Sequence, residues 1–127
     1  MSGGGVLLNS VILIDHVNGL PAASKFVKEA GPSACISAIT RAEVLAGVSD
    51  KHRRVTKRFL DCFTFLAIDQ KAADLAAELR RAHHWKLPDA FQAALAQLHG
   101  LDLATRDMDD FNPQRHGFVV IPYSLKK

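Results

Sequence analysis

Residues 6–17 have the sequence VLLNSVILIDHV, which contains the change of local structure that the fold depends on. The apolar run Val6–Leu8 ends at the polar residues Asn9 and Ser10, as a short buried strand does. Residues 11–17 then continue with apolar side chains at helical spacing. The segment therefore predicts a buried strand whose polar end leads directly into a helix.

Short apolar segments and helical segments alternate along the rest of the chain. Strands are predicted at residues 6–8, 34–36, 65–68, 101–105 and 118–121, and helices at 11–17, 21–30, 41–47, 55–63, 70–84 and 88–99. Alternating strands and helices are typical of a parallel sheet with helices on both faces. We therefore predict a single α/β domain over residues 6–127, preceded by a flexible lead-in at residues 1–5.

The composition limits the class of protein. The chain has 127 residues, of which 48% are hydrophobic and 23% are charged, as in an ordinary globular domain. No apolar run approaches the roughly 20 residues that cross a bilayer, so no membrane span is expected. Cys35 and Cys62 lie in apolar segments and are too few for a disulfide framework. A reducing, cytoplasmic location is expected.

The formal net charge is only +3, but the charges are segregated. Residues 51–58 and 80–86 are two basic blocks, whereas aspartates concentrate in residues 102–110. Solvated helix faces and an acidic turn would explain this pattern without any function. A basic surface that binds a polyanion is the functional alternative.

Three carboxylates from distant parts of the chain are expected at one edge of the sheet. Functional residues of open parallel sheets gather at the carboxyl ends of the strands. Glu43 lies in the helix after the second strand, Asp89 begins a helix, and Asp107 follows the fourth strand. Each has a local alternative: a capping box of Glu43 with Thr40, a first-turn acid at Asp89 and a turn at Asp107. These alternatives do not explain why all three fall at one edge.

Clustered carboxylates repel one another unless a cation lies between them. Mg²⁺ and Mn²⁺ prefer oxygen ligands, and such ions activate water and neutralise charge on a phosphoryl group. Basic helices beside the cluster would bind a nucleic-acid backbone. An acidic centre with basic flanks therefore favours phosphodiester hydrolysis.

Four blocks of the sequence, in order, resemble the PIN-domain family, specifically the VapC-type toxins of toxin–antitoxin pairs. They are VLLNSVILIDH at residues 6–16, SAITRAEVLAG at 37–47, LPDAFQAA at 87–94 and LATRDMDDF at 103–111. The resemblance extends over residues 6–123. It implies a PIN-like α/β/α sandwich with a short central parallel sheet of four to five strands, and an endoribonuclease that requires Mg²⁺ or Mn²⁺.

The resemblance also assigns site residues by position. Glu43, Asp89 and Asp107 match the second, third and fourth acids of the family, and Asp110 matches a commonly acidic position beside the site. Ser10 and Thr105 match hydroxyl residues that support the acids.

Asn9 departs from the family pattern, because the family has its first aspartate at this position. An amide has a carbonyl oxygen but no negative charge, so metal binding should weaken. Asn9 is either a disarming substitution introduced into a toxic protein or a natural loss of activity, and the sequence leaves both open.

Two functions follow as hypotheses. The first is a VapC-like, divalent-metal-dependent endoribonuclease that is impaired by Asn9. The second is a non-catalytic PIN-fold module that binds RNA or a protein. Candidate contacts to the RNA backbone are Arg41, Arg53, Arg54 and Arg106.

The resemblance implies two protein partners, a VapB-type antitoxin over the acidic groove and a second copy of the chain in a homodimer. Phe59 and Phe63 lie on an apolar helix face that suits the core, the dimer or the antitoxin.

Overall fold

Five strands and six helices alternate in the computed structural model, which describes residues 5–125. In chain order they are β1 (Val6–Leu8), α1 (Ser10–Val17), α2 (Pro21–Ala30), β2 (Cys35–Ser37), α3 (Ala38–Gly47), α4 (Asp50–Leu60), β3 (Thr64–Leu66), α5 (Gln70–His83), α6 (Leu87–Leu98), β4 (Asp102–Ala104) and β5 (Val119–Val120). The predicted alternation of strands and helices is confirmed. β1 has the predicted bounds and β2 is shifted by one residue, whereas β3, β4 and β5 are shorter than predicted.

All five strands are parallel and form one sheet in the order β3-β2-β1-β4-β5. β1 is central, with Leu7 opposite Cys35 on one side and Leu103 on the other. The carboxyl ends of β1 and β4 therefore lie side by side, and the residues that follow these two strands are neighbours.

Helices cover both faces of the sheet. Successive side chains of β1 point to opposite faces, so each contributes to a different core. Leu7 packs into a core with residues of α5 and α6, including Ala72 and Leu95. Leu8 packs into a second core with residues of α1 to α4, including Ile12 and Leu60. The expected α/β/α sandwich is thus confirmed.

Two helix starts determine how polar groups reach the edge of the sheet. Asn9 is the N-cap of α1, and its side-chain oxygen accepts a hydrogen bond from the Ser10 amide. Ser37 is the N-cap of α3, and its hydroxyl accepts a hydrogen bond from the Thr40 amide. The alternative in which Thr40 and Glu43 form a capping box is therefore wrong, since the helix already begins at Ala38.

The apolar faces of two helices differ in how well the sequence predicts them. The helix predicted over residues 55–63 is displaced in the structure, since α4 spans Asp50–Leu60 and Phe63 lies after its end. Phe59 and Phe63 nevertheless pack against the core of Leu8, and the Phe59 ring stacks on His16 with centroids 4.9 Å apart.

In α6 the helical spacing of Phe91, Ala94, Leu95 and Leu98 predicts one apolar face. This is only partly right, because Leu98 is 44% exposed whereas the polar Gln92 is buried.

The lead-in and the chain end extend beyond the described residues. Residues 1–4 and 126–127 lie outside them, so flexibility at 1–4 and a domain end at 127 stay predictions. The Gly5 carbonyl already accepts a hydrogen bond from the Asp102 amide beside β1. No helix within residues 5–125 combines the length and apolar character needed to cross a membrane.

Candidate active site

A cavity of about 590 Å³ opens at the carboxyl edge of the sheet, where β1 and β4 end. It is lined by Asn9, Ser10, Val11, Ile14, Glu43, Asp89, Arg106, Asp107, Met108 and Asp109. The three acids that the sequence placed at one edge, Glu43, Asp89 and Asp107, therefore do meet in one cavity. Asn9 lies with them at the end of β1.

Three carboxylates form the tightest group at this cavity. Asp89, Asp107 and Asp110 each have an oxygen within 4.8 Å of the others. Asp89 comes from the first turn of α6, whereas the other two belong to the turn after β4. Asp107 is also a turn residue, because its Oδ1 accepts hydrogen bonds from the amides of Asp109 and Asp110. The turn thus fixes the carboxylate of Asp107 and the backbone of Asp110.

Asp89 is an acid of this group whose pKa is shifted. Burial, followed by the charges of Asp110, Asp107 and Glu43, raises the pKa of Asp89 from 3.8 to about 6, and Lys86 partly offsets this. A carboxylate is disfavoured in this position because it is desolvated beside like charges. A cation bound among these acids would relieve the repulsion.

Glu43 lies in the same cavity but outside the group of three. The Ser10 hydroxyl donates a short hydrogen bond to Glu43 Oε1, and this bond joins α1 to α3. Ser10 therefore contacts an acid of the cavity, and the supporting role that the resemblance implies for it stays a prediction. The Glu43 side chain is otherwise exposed at the cavity.

Asn9 has no free lone pair on its side-chain carbonyl oxygen. Oδ1 accepts hydrogen bonds from the Ser10 amide and from Gln92 Nε2, both at 3.0 Å. Nδ2 donates to the Thr105 hydroxyl at 2.9 Å. Because a carbonyl oxygen has two lone pairs, both are engaged and Asn9 contributes neither a charge nor an acceptor to the cavity.

Thr105 links Asn9 to the acidic turn. Its hydroxyl oxygen accepts from Asn9 Nδ2 and also from the Asp107 amide at 3.1 Å. The supporting role implied for Thr105 thus corresponds to two hydrogen bonds, one to each side of the site.

Gln92 is a site-neighbouring residue that the sequence analysis missed. It is 1% exposed, and its amide is fully hydrogen-bonded. Oε1 accepts from the Ser37 hydroxyl at 2.6 Å, while Nε2 donates to Asn9 and to Thr40 Oγ1. A polar residue inside a run of buried alanines was the available signal, since a buried amide requires partners.

Replacing Gln92 with Leu should destabilise the fold by about 2–4 kcal/mol, because it removes three buried hydrogen bonds, to Ser37, Asn9 and Thr40, and leaves these polar groups less well satisfied. Urea unfolding measures this free energy. The matched control is Gln97→Leu on the exposed end of α6, which should change it by less than about 0.5 kcal/mol. Equal values for the two variants would contradict a stabilising role of the network.

The four arginines proposed for RNA contact have different surroundings. Arg41 donates to Asp61 at 2.9 Å, and Arg53 pairs with Asp50 at 3.2 Å. Arg54 is exposed on α4. Arg106 alone among the four lines the cavity. Contact of any of them with RNA stays a prediction.

The fold and the site together define a class. The chain is an α/β protein in which a parallel sheet lies between helices. Three carboxylates cluster where its strands end, and such a cluster is suited to binding a divalent cation. Comparison with known proteins gives the family. The profile of the PIN domain matches residues 6–113, and the chain therefore belongs to the PIN-domain family.

Known relatives agree with this assignment. The chain is 33% identical over 114 residues to Ribonuclease VapC10 of Mycobacterium tuberculosis, covering 84% of this chain and 85% of the relative. It is 36% identical to a chain in the structure of a toxin-antitoxin complex from Klebsiella pneumoniae, with a TM-score of 0.88 over 95% of this chain and 100% of the other. FitAcB from Neisseria gonorrhoeae shares the fold at 24% identity, with a TM-score of 0.74 over 92% and 97% of the two chains.

Proposed function

We propose that this protein is a VapC-like toxin, a divalent-metal-dependent endoribonuclease that hydrolyses RNA phosphodiesters and is impaired by Asn9. The observation that carries the proposal is the group formed by Asp89, Asp107 and Asp110 in a chain of the PIN-domain family. Its homology to Ribonuclease VapC10 supports RNA as the substrate.

The residues present fit a hard divalent cation. All three closest donors are carboxylate oxygens, which are the ligands of Mg²⁺ and Mn²⁺. Asp89, Asp107 and Asp110 would hold the ion, and Glu43 lines the same cavity. When bound, the ion supplies charge neutralisation at the phosphate and lowers the pKa of water.

The chain's own residues supply orientation. Burial and like charges raise the pKa of Asp89 to about 6 when no cation is bound, and a cation held among these acids would favour its carboxylate form. Glu43 accepts a hydrogen bond from Ser10 at one oxygen and lines the cavity. Either acid can orient the attacking water. Asn9 is held in place by its hydrogen bonds but adds no negative charge to the metal site, and this missing charge is the basis of the proposed impairment.

The proposed partners follow from the relatives. The toxin-antitoxin complex that matches this chain supports a VapB-type antitoxin as a protein partner. A homodimer and a cytoplasmic location are also proposed. Four arginines are proposed contacts to the RNA backbone. Three of them place positive charge on α3 and α4 and the fourth follows β4: Arg41, Arg53, Arg54 and Arg106.

Incubation of total cellular RNA with the purified chain and with its Asn9→Asp variant tests this function. We expect cleavage by the variant with Mg²⁺ or Mn²⁺, none with EDTA, and little by the parent chain. Attack by water leaves no 2′,3′-cyclic phosphate on the products, which separates this activity from contaminating ribonucleases that use the RNA 2′-hydroxyl. Metal-independent cleavage would contradict the proposal.

The buried hydrogen bonds of Asn9 with Ser10, Gln92 and Thr105 favour a second candidate function, a non-catalytic PIN-fold module that binds RNA or a protein. All polar atoms of the Asn9 amide are engaged in the buried network, so the chain is structurally complete without a metal ligand at this position. This candidate predicts RNA binding that is independent of metal and no gain of cleavage from Asn9→Asp.

Trp85 gives a prediction about metal affinity. Its Nε1 donates to the backbone carbonyl of Asp110 at 2.9 Å, and its ring is only 4% exposed. Trp85→Phe keeps an aromatic ring but frees this part of the acidic turn, so Mn²⁺ affinity measured by calorimetry should fall roughly tenfold. In an Asp110→Asn background the same change should have a smaller effect. An equal effect in both backgrounds would contradict a role through Asp110.

A further inference from the structure

A cluster of three side chains joins distant segments at the rim of the cavity. Arg106 follows β4, Asp15 lies on α1 and Tyr123 belongs to the C-terminal segment. Arg106 donates to both oxygens of Asp15, from Nε at 2.6 Å and from Nη2 at 3.1 Å. The Tyr123 hydroxyl donates to Asp15 Oδ2 at 2.8 Å. The carboxylate of Asp15 is thus held from two sides.

The charges of this cluster are fixed at neutral pH. The hydrogen bond from Arg106 lowers the pKa of Asp15, against the opposing effect of burial, and the Tyr123 hydrogen bond lowers it further. Burial, followed by the bond to Asp15, raises the pKa of Tyr123. Asp15 therefore stays a carboxylate, and Tyr123 stays a neutral donor. A bidentate pair between planar groups also fixes the orientation of the guanidinium.

Arg106 is the one Lys or Arg that lines the acidic cavity within residues 5–125. Glu43, Asp89, Asp107 and Asp109 line the same space, so a phosphate that approaches it meets four carboxylates. Asp15 engages only two of the five N–H donors of the guanidinium. Donors therefore remain for a ligand in the cavity.

We propose that Asp15 and Tyr123 are positioning residues that hold the Arg106 guanidinium at the cavity, where it binds a phosphate of the RNA backbone. This inference rests on the proposed function and identifies how the site takes its substrate. A guanidinium that is already ordered loses little side-chain entropy when it binds phosphate. Its forked donors also match the geometry of phosphate oxygens.

Removal of the negative charge of Asp15 tests the inference, because the direction of the change in RNA affinity distinguishes a charge effect from a positioning effect. Asp15→Asn makes the protein more positive, so charge alone predicts tighter RNA binding, whereas loss of a positioning residue predicts weaker binding. We expect about tenfold weaker binding of a fluorescein-labelled single-stranded RNA of mixed sequence, with an unchanged salt dependence. Arg106→Gln should weaken binding to a similar extent and reduce the salt slope by about one.

The charge-matched control is Asp74→Asn. Asp74 is exposed on α5 and lies outside the lining of the cavity. This variant should bind the RNA as tightly as the parent chain or more tightly. Tyr123→Phe removes only one hydroxyl and should weaken binding about twofold.

Three outcomes separate this inference from the proposed function. If Asp15→Asn and Arg106→Gln lower the melting temperature but leave RNA affinity unchanged, the cluster only attaches the C-terminal segment to α1 and the inference is overturned. If the parent chain does not bind the RNA, the inference is also overturned. If RNA binding follows the expected pattern but Asn9→Asp never cuts RNA, the proposed enzyme fails and the phosphate-binding role of Arg106 stands.

Discussion

The Asn9→Asp variant should cut RNA in the presence of Mg²⁺ or Mn²⁺ at least roughly a hundredfold faster than the parent chain. The size of the effect follows from the loss of a charge at the metal site, since even partners behind a ligand change metal affinity or activity by about 10–100-fold. Asn9 lies at the end of β1 in the same cavity as Asp89 and Asp107. A carboxylate there adds a negative charge and lone pairs that the amide does not have.

The structure can accept this substitution without losing hydrogen bonds. Both donors to Asn9 Oδ1, the Ser10 amide and Gln92 Nε2, remain suitable partners of a carboxylate. The Thr105 hydroxyl now accepts from Asn9 Nδ2, and it can rotate to donate instead. We therefore expect Asn9→Asp to fold as the parent chain does, which circular dichroism checks.

Asn18→Asp is the control for this prediction. It makes the same chemical change at the exposed C-cap of α1, outside the lining of the cavity. The initial rate of cleavage of cellular RNA should stay at the parent level in this variant. An equal gain in Asn18→Asp, or no gain in Asn9→Asp, would contradict the assignment of Asn9 as the disarmed position.

Asp89→Asn should abolish cleavage in the Asn9→Asp background and, at the same time, stabilise the metal-free fold. The Asp89 carboxylate is desolvated beside Asp110, Asp107 and Glu43, and its pKa is raised to about 6. A neutral amide removes this repulsion. It also removes a metal ligand, so the stabilisation by Mn²⁺ should disappear.

The pH dependence gives the sign of the stability effect. The ordinary pKa of an unfolded aspartate is about 3.9, below the folded value for Asp89, so the folded state binds the proton more tightly. The contribution of Asp89 to stability is therefore greatest below pH 4 and declines as the pH rises to about 6. Above that pH the penalty is constant, and it amounts to at most ~3 kcal/mol before solvent screening is considered.

Urea unfolding of Asp89→Asn and the parent chain at pH 4 to 8, with EDTA, measures this contribution. The difference in free energy of unfolding should grow between pH 4 and 6 and then level off. Asp74→Asn, on the exposed surface of α5, is the control and should differ from the parent by less than about 0.5 kcal/mol. A constant difference over the whole pH range would contradict the raised pKa.

The order of the elements could be predicted from the sequence because the periodicity is clear. The change from Leu8 to Asn9 and Ser10 places the end of β1 and the start of α1 within one residue. The ends of β3 and β5 were less predictable. Both are edge strands, and their length depends on pairing with β2 and β4 rather than on their own apolar residues.

The candidate site was predictable only in part. The topology of a parallel sheet brings Glu43, Asp89 and Asp107 to one edge, and the sequence was sufficient for that. Sequence spacing does not reveal that Glu43 bonds to Ser10 while Asp110 joins the closest acids, because this depends on how the turn after β4 folds back.

Long-range polar contacts were beyond the sequence analysis. Gln92 meets Asn9 across 83 residues of sequence, and Arg106 meets Asp15 across 91. Such pairs follow from the sheet order, which brings the ends of β1 and β4 together. No local pattern in the chain indicates them.

A Mn²⁺ titration of the initial rate of RNA cleavage tests the central claim most directly. The two proteins to compare are Asn9→Asp and the same variant with Asp107→Asn, which keeps an acceptor for the turn amides but removes one charge. We predict that the rate of Asn9→Asp rises with Mn²⁺ and saturates, while the double variant remains at background. Equal rates in both proteins, or no cleavage by Asn9→Asp at any Mn²⁺ concentration, would contradict a metal-dependent ribonuclease at this site.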